Sequence, residues 1–298
     1  MESDGEFIMA VKYLAGNRLW GTDAERLAMT VLKEFVDNPI SDVWTVVNSS
    51  LWTIGSGKAT ASGTANSNPN ICRYDLQDTF GAGNNLSDTT WTIRWSSYLD
   101  IVTGSSGFHS MPIGIYSGTG ATEDAGTENG IEAMVLDAYG SSSANVYDTY
   151  CSWVENGTLH STYGPYSGHD CDQAWDTQYW YELQRISADD FTLKTYDADT
   201  YDVADQVGDT WTASSDSAYS ASDVEAITDL RYVELGYRNG NAGFTGIGWN
   251  TLMEVYNETL TPPATNTHPK LTNGTTFLTS DTNKLYMFDG TDTWNEVA

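Results

Sequence analysis

The chain has 298 residues, with 41 Asp and Glu against 13 Lys and Arg, for a formal net charge of −28. Such a field repels nucleic acid and anionic membranes, which excludes a nucleic-acid role. Hydrophobic residues make up 40% and aromatic residues 12%, with 11 Trp and 18 Tyr, a load that acidic disordered chains lack.

Trp, Tyr, Val, Ile and Thr suit a pleated, half-buried surface, and 27 Gly with abundant Asn, Asp, Ser and Thr supply turns. The acidity reads in two ways: solubility in a saline or crowded setting, or a set of Ca2+ sites, since hard cations take carboxylate oxygens. No stretch approaches the roughly 20 apolar residues of a membrane-spanning helix. The N-terminal MESDGEFIMAVKYLAG carries acids where an export signal carries bases.

In chain order, residues 1–38 stand apart. They hold Lys12, Arg18, Arg26 and Lys33, a local excess of base. Thr22 or Asp23 caps a short helix through about Phe35, with Leu27, Val31, Leu32 and Phe35 on one stripe. The alternative is an extended arm, because Tyr13, Leu14, Leu19 and Trp20 lack a helical period. Both describe an attachment arm.

Residues 39–260 are patterned for strands. The expected strands are Val43–Asn48, Trp52–Thr60, Cys72–Leu76, Trp91–Val102, His109–Tyr116, Ile131–Tyr139, Val146–Val154, Tyr179–Ile186, Phe191–Tyr196, Tyr232–Tyr237 and Gly246–Tyr256. Alternation is plain in Trp91-Thr-Ile93-Arg-Trp95 and in Tyr179-Trp-Tyr181-Glu-Leu183, so one face is core and the other wet. Many short strands between turn signals predict an all-β, antiparallel sandwich or barrel.

Residues 261–270 form a linker, where Pro262 and Pro263 exclude helix and ladder. Residues 271–298 follow as a small β meander of Thr275–Thr279, Lys284–Phe288 and Thr293–Val297. A meander of that size is not stable alone.

Three sets of residues then carry a resemblance. The tail Asn273-Gly-Thr-Thr-Phe277, Thr282-Asn-Lys-Leu-Tyr286, Asp289-Gly290 and Trp294-Asn-Glu296 resembles a short module of phage and archaeal-virus structural proteins. Lys12-Tyr-Leu-Ala-Gly-Asn-Arg18 and Gly21-Thr-Asp-Ala-Glu-Arg26 resemble a leader of similar viral and archaeal surface proteins. The runs Trp91–Asp100, Tyr179–Tyr196 and Arg231–Gly236 with the strand through Tyr256 resemble the concanavalin-like (laminin-G-type) jelly rolls. That resemblance implies two antiparallel sheets and glycan binding, often with Ca2+.

Candidate sites follow. Tyr163–Trp180 joins aromatics to acids. Tyr166, Trp175, Tyr179 and Trp180 are the candidate sugar-stacking residues, and Asp170, Asp172 and Asp176 the candidate Ca2+ ligands. Core packing is the competing reading of Trp175, Tyr179 and Trp180. Cys151 and Cys171 are able to close a disulfide worth about 3 kcal/mol. Free thiols, or zinc held with His160 and His169, are the alternatives. Cys72 completes an odd count. Glycoside hydrolysis needs paired carboxylates. The nearest pairs, Glu132 with Asp137 and Glu225 with Asp229, lack the spacing. No nucleophile elbow or phosphate loop is present. Sequons stand at Asn48, Asn85, Asn156, Asn257 and Asn273.

The expectation is therefore a non-enzymatic structural protein on the exterior of a virion or appendage, of capsid-decoration, spike or tail-fibre type, with glycan binding for host attachment. It associates with copies of itself and neighbouring particle proteins, through Tyr13, Leu14, Arg18, Trp20, Phe277, Tyr286, Phe288 and Trp294. It contacts neither nucleic acid nor membrane interior. The alternatives are a cell-surface or secreted lectin or adhesin, and a polysaccharide-active glycoside hydrolase.

Overall fold

The alternating runs do form strands. The computed structural model describes residues 12–14, 18–23, 26, 34–47, 52–64, 70–103, 108–119, 132–141, 146–160, 169–216, 219–237, 245–257, 273–289 and 293–297. In chain order the first strands are β1 Lys12–Leu14, β2 Arg18–Gly21, β3 Glu34–Asp37, β4 Thr45–Val47, β5 Trp52–Gly55, β6 Lys58–Thr64 and β7 Asn70–Asp75. The short helix α1, Gln77–Phe80, precedes β8 Trp91–Thr103, β9 Phe108–Tyr116, β10 Ala133–Ser141, β11 Val146–Glu155, β12 Thr158–His160 and β13 His169–Ala174. Then come β14 Thr177–Ser187, β15 Asp190–Tyr196, β16 Gln206–Thr212, helix α2 Ala221–Glu225, β17 Tyr232–Tyr237 and β18 Thr245–Tyr256. The last are β19 Thr276–Thr279, β20 Leu285–Phe288 and β21 Trp294–Val297.

These elements fall into two compact units. One is Lys33–Thr265; the other joins Met1–Leu32 to Asn266–Ala298. The larger is an antiparallel β-sandwich. Its first sheet runs β12-β11-β10-β9-β17-β7-β4, with β13 also on β11. Its second runs β16-β15-β14-β8-β18-β6-β5, with β3 also on β18.

Alternation decides what each sheet buries. Trp91, Ile93 and Trp95 of β8, Tyr181 and Leu183 of β14 and Met253 and Val255 of β18 turn inward. They meet Cys72 and Tyr74 of β7, Ile113 and Ile115 of β9, Trp153 of β11 and Val233 and Leu235 of β17. Trp153 meets Phe191 of the facing sheet edge-on, with ring centroids 5.9 Å apart. Arg185 is also buried there, donating to the carbonyls of Val224 and Ile227 and so pinning the segment around α2. At Gly114 a side chain would collide with the Tyr116 ring lying over it.

The structure departs from the expected strands where a turn or an edge intervenes. Trp52–Thr60 is a hairpin, β5 and β6, turned at Ser56-Gly57, both with positive φ. That is the geometry favoured by two-residue hairpin loops. Phe35 is not on a helix but on β3, buried against Tyr74 with ring centroids 4.0 Å apart. A helix does begin where expected: Asp23 and Arg26 are helical, and the Arg26 amide donates to the Thr22 carbonyl. Leu27, Val31 and Leu32 lie outside the described residues.

The smaller unit differs from the expected separate arm and tail. Its five strands form one sheet, β1-β2-β19-β20-β21. The β2–β19 pair is parallel, setting Leu19 beside Phe277. The reason is burial: Leu19, Phe277, Phe288 and Trp294 make one core, with Tyr286 packed against it and Arg26 over the Tyr286 ring. Neither terminal segment has enough apolar surface to do this alone.

Candidate functional site

Among the described residues, the outer face of the second sheet carries a dense array of charged and aromatic side chains. Strand register lines its side chains into rows. The first row is Lys194–Glu182–Arg94–Glu254, across β15, β14, β8 and β18. Arg94 donates to Glu182 through Nε at 2.9 Å and Nη2 at 2.6 Å, and Lys194 Nζ donates to the other Glu182 oxygen at 3.3 Å. Arg94 and Glu182 are buried although they face away from the sandwich core. Tyr201, from the loop between β15 and β16, covers them: the Arg94 guanidinium lies 4.2 Å from its ring centroid. Tyr201 holds a left-handed backbone, φ 54°. It packs with Tyr196, Leu252 and Trp180. Burial above all, and then the Glu254 carboxylate, drive the Tyr201 hydroxyl well above the usual tyrosine range. Burial, then Glu182, raises Tyr196 as well.

The next row is still largely covered, and the one after it opens towards solvent. Tyr196–Trp180–Ser96–Leu252 is followed by Gln178–Tyr98–Trp249–Thr60. Tyr98 and Trp249, directly opposite on β8 and β18, stack with centroids 5.0 Å apart and planes 3° from parallel. Because β18 lies between β8 and β6, the other face of Trp249 looks towards β6. Lys58 of β6 occupies it, with Nζ 3.6 Å from the ring centroid. The Tyr98 hydroxyl donates to Asp176. That bond, reinforced by burial and by the charges of Asp176 and Asp100, lifts the phenol to about 12. Tyr98, Trp249, Lys58, Gln178 and Thr60 are half-buried, and Asp176 is exposed. A half-exposed aromatic stack flanked by an ammonium, a carboxylate and an amide is equipped to hold a polar ring by stacking and hydrogen bonds.

The residues singled out from sequence divide differently. Trp175 and Tyr179 face the sandwich core and are buried, so they are not sugar-stacking residues. Alternation turns Trp180 to the outer face, half-buried beside Tyr201. Tyr166 lies outside the described residues. Asp176 is engaged by Tyr98. Asp170 and Asp172 lie on β13, their side chains outside the description. Among the described residues no group of three His, Cys, Asp or Glu is placed to hold a metal.

The Cys151–Cys171 disulfide is contradicted. Cys151 is a free, buried thiol whose Sγ lies 3.8 Å from the Ser152 carbonyl, and burial pushes it well above the usual thiol range. Register gives the reason. Thr149 pairs with His169, and the antiparallel strands carry Cys151 and Cys171 away from that pair in opposite directions. They end roughly 10 Å apart along the strand, beyond disulfide reach. Cys72 is equally enclosed, its thiol pushed up to about 12 by burial. His160 lies between Glu155 at 3.6 Å and Asp223 at 3.4 Å, stacked on Trp153.

Of the candidate carboxylate pairs, Glu132 accepts from the Asn156 amide, and Asp229 accepts from Asn85. Asn85 and Asn257 spend their side chains on internal hydrogen bonds, whereas Asn156 and Asn273 are exposed.

Of the terminal residues expected to reach neighbours, Phe277, Phe288 and Trp294 are consumed by their own unit's core. Arg18 is exposed, and Trp20 half-buried; Tyr13 and Leu14 lie on β1, their side chains outside the description.

The face built by Tyr98, Trp249 and Lys58 was missed because its members are far apart in sequence. The single clue was Trp91–Val102 itself, whose alternation sends Tyr98 outward.

No protein-family model matches the chain, and no curated protein does. Among solved structures it is similar to an alginate lyase in complex with alginate tetrasaccharide, at 11% identity and a TM-score of 0.47, covering 77% of this chain and 98% of that one. It is similar to arcelin-5, a lectin-like defense protein from Phaseolus vulgaris, at 11% identity and a TM-score of 0.44, covering 75% and 97%. It is also similar to the CBM2 module of the evolved Dit of Lactobacillus casei BL23 phage J-1, at 9% identity and a TM-score of 0.43, covering 77% and 99%. The sandwich architecture itself follows from the strand pairing. No helix among the described residues is long and apolar enough to cross a membrane.

Proposed function

We propose that the protein is a non-enzymatic, carbohydrate-binding protein carried on the exterior of a particle or cell, and that sugar binds on the outer face of the second sheet. The Tyr98–Trp249 stack carries this reading: two large rings, parallel, stacked and half-exposed, bordered by Lys58, Gln178 and Asp176. Sugars present C–H faces to such rings and hydroxyls to such polar groups. Replacing Trp249 by alanine is expected to weaken oligosaccharide binding at least about tenfold. A glycan array with and without Ca2+, followed by titration calorimetry on the hits, measures it. Undiminished binding in that variant moves the site elsewhere, and an array without hits ends the reading.

A second reading, a structural role in a virion or appendage, draws support from one feature of the terminal sheet. On the face opposite its core, Trp20, Leu278, Leu285 and Val297 stand in one row across β2, β19, β20 and β21. Leu278, Leu285, Met287 and Val297 are exposed at 40%, 38%, 42% and 39%. Such an apolar row suits contact with a second copy of the chain or with a neighbouring particle protein. Under this reading the protein is an oligomer, and substituting Lys for both Leu285 and Met287 drives it to monomer. Light scattering after size exclusion decides: a wild type already monomeric at high concentration removes the support.

A further inference from the structure

We infer that the slot on Trp249 selects a positively charged sugar, a polymer of unacetylated amino sugar, in preference to neutral or uronate chains. The inference rests on the carbohydrate reading of the same face and adds the class of ligand.

The observation is the position of Lys58. One face of Trp249 is closed by Tyr98, and the chain's own ammonium sits 3.6 Å from the centroid on the other. A sugar ring reaching that face must displace Lys58 and forfeit its contact with the indole. An amino sugar restores what it removes, because its ammonium takes the same place over the ring. A neutral sugar restores the stacking alone. A uronate brings a carboxylate to an aromatic face whose quadrupole repels it.

The surrounding charges favour the same ligand. Those acting on Tyr98 are both carboxylates, Asp176 and Asp100. Two rows away the cations Arg94 and Lys194 are already held by Glu182. Once Lys58 swings aside, an incoming ammonium meets carboxylates. At longer range the net charge of −28 draws polycations in and holds polyanions off.

The experiment is calorimetric titration of the full chain at mildly acidic pH, where the amine is protonated. Three oligosaccharides of equal length are compared: glucosamine, N-acetylglucosamine and a uronate. The glucosamine oligomer is expected to bind about tenfold more tightly than its acetylated counterpart, the size of one cation–aromatic contact. Its affinity falls with added salt, and Trp249→Ala removes the preference. Lys58→Met, which keeps the stem and deletes the competing ammonium, tightens glucosamine binding; Lys58 is half-buried on the outer face, outside the sandwich core, so the substitution leaves that core untouched. Equal or tighter binding of the acetylated or uronate chain overturns the inference and leaves the carbohydrate reading standing. Glucosamine binding indifferent to Trp249→Ala and Lys58→Met also overturns it, as attraction to an acidic surface at large. Failure of all three oligomers overturns the inference, and the carbohydrate reading then stands or falls on the glycan array.

Discussion

Replacing Glu182 by alanine is expected to cost the sandwich about 3–5 kcal/mol. Glu182 is 2% exposed, Arg94 4%, and the two are joined by paired hydrogen bonds, with Lys194 on the remaining oxygen. Removing the carboxylate strands a guanidinium under Tyr201, where water does not compensate it. In a unit of this size such a loss lowers the melting temperature by about 10 °C. The triple replacement Arg94→Met, Glu182→Leu and Lys194→Met is expected to be near neutral, since it removes the buried charges together. Urea unfolding of the three proteins separates these cases. A Glu182→Ala loss under about 1 kcal/mol would mean that the cluster is hydrated, as exposed ion pairs are.

Deleting residues 1–22 is expected to unfold the C-terminal meander while leaving the sandwich intact. The deletion removes β1 and β2, takes Leu19 out of a four-residue core and uncovers Phe277, now 0% exposed. What remains is β19–β21, a meander below the size that holds itself together. Hydrogen exchange at residues 276–288 should rise to the rate of an open chain. Trp294 fluorescence should shift to the red, and the main urea transition should keep its midpoint. Persistent protection of those amides after the deletion would show that the pairing with β2 is dispensable. Phe277→Ala tests the same core from the other side, because losing a buried phenylalanine costs about 3–5 kcal/mol, more than so small a unit holds in reserve.

The sandwich was legible because its central strands alternate cleanly. Trp91-Thr-Ile93-Arg-Trp95 and Tyr179-Trp-Tyr181-Glu-Leu183 turn their odd-numbered residues into the core, as the period-two pattern requires, but the other face is not wet there, since Thr92, Arg94 and Glu182 are buried as well. What escaped was whatever pattern does not encode. β16 carries an exposed Gly208-Asp209-Thr210 and β13 is one-third acidic, so neither has the composition of a strand; backbone pairing to a neighbour makes them strands. The binding candidates went wrong for a related reason. Trp175, Tyr179 and Trp180 were grouped by nearness in sequence, but a strand sends neighbours to opposite faces. The Tyr98–Trp249–Lys58 stack unites three strands and depends on register, which residue order alone does not give. The disulfide failed on register as well.

The parallel pairing of β2 with β19 also sets an order of events in the making of the protein. The whole sandwich, Lys33–Thr265, lies between the two partners. At roughly 5–20 residues per second of synthesis, β2 waits on the order of ten seconds or more for β19 to emerge. The sandwich, complete in itself, is free to fold during that interval. Once it has, it shortens the effective loop that the terminal strands must close and lowers the entropy of bringing them together. The terminal sheet is thus a clasp fastened last, and only a chain whose interior has already been translated intact is able to fasten it.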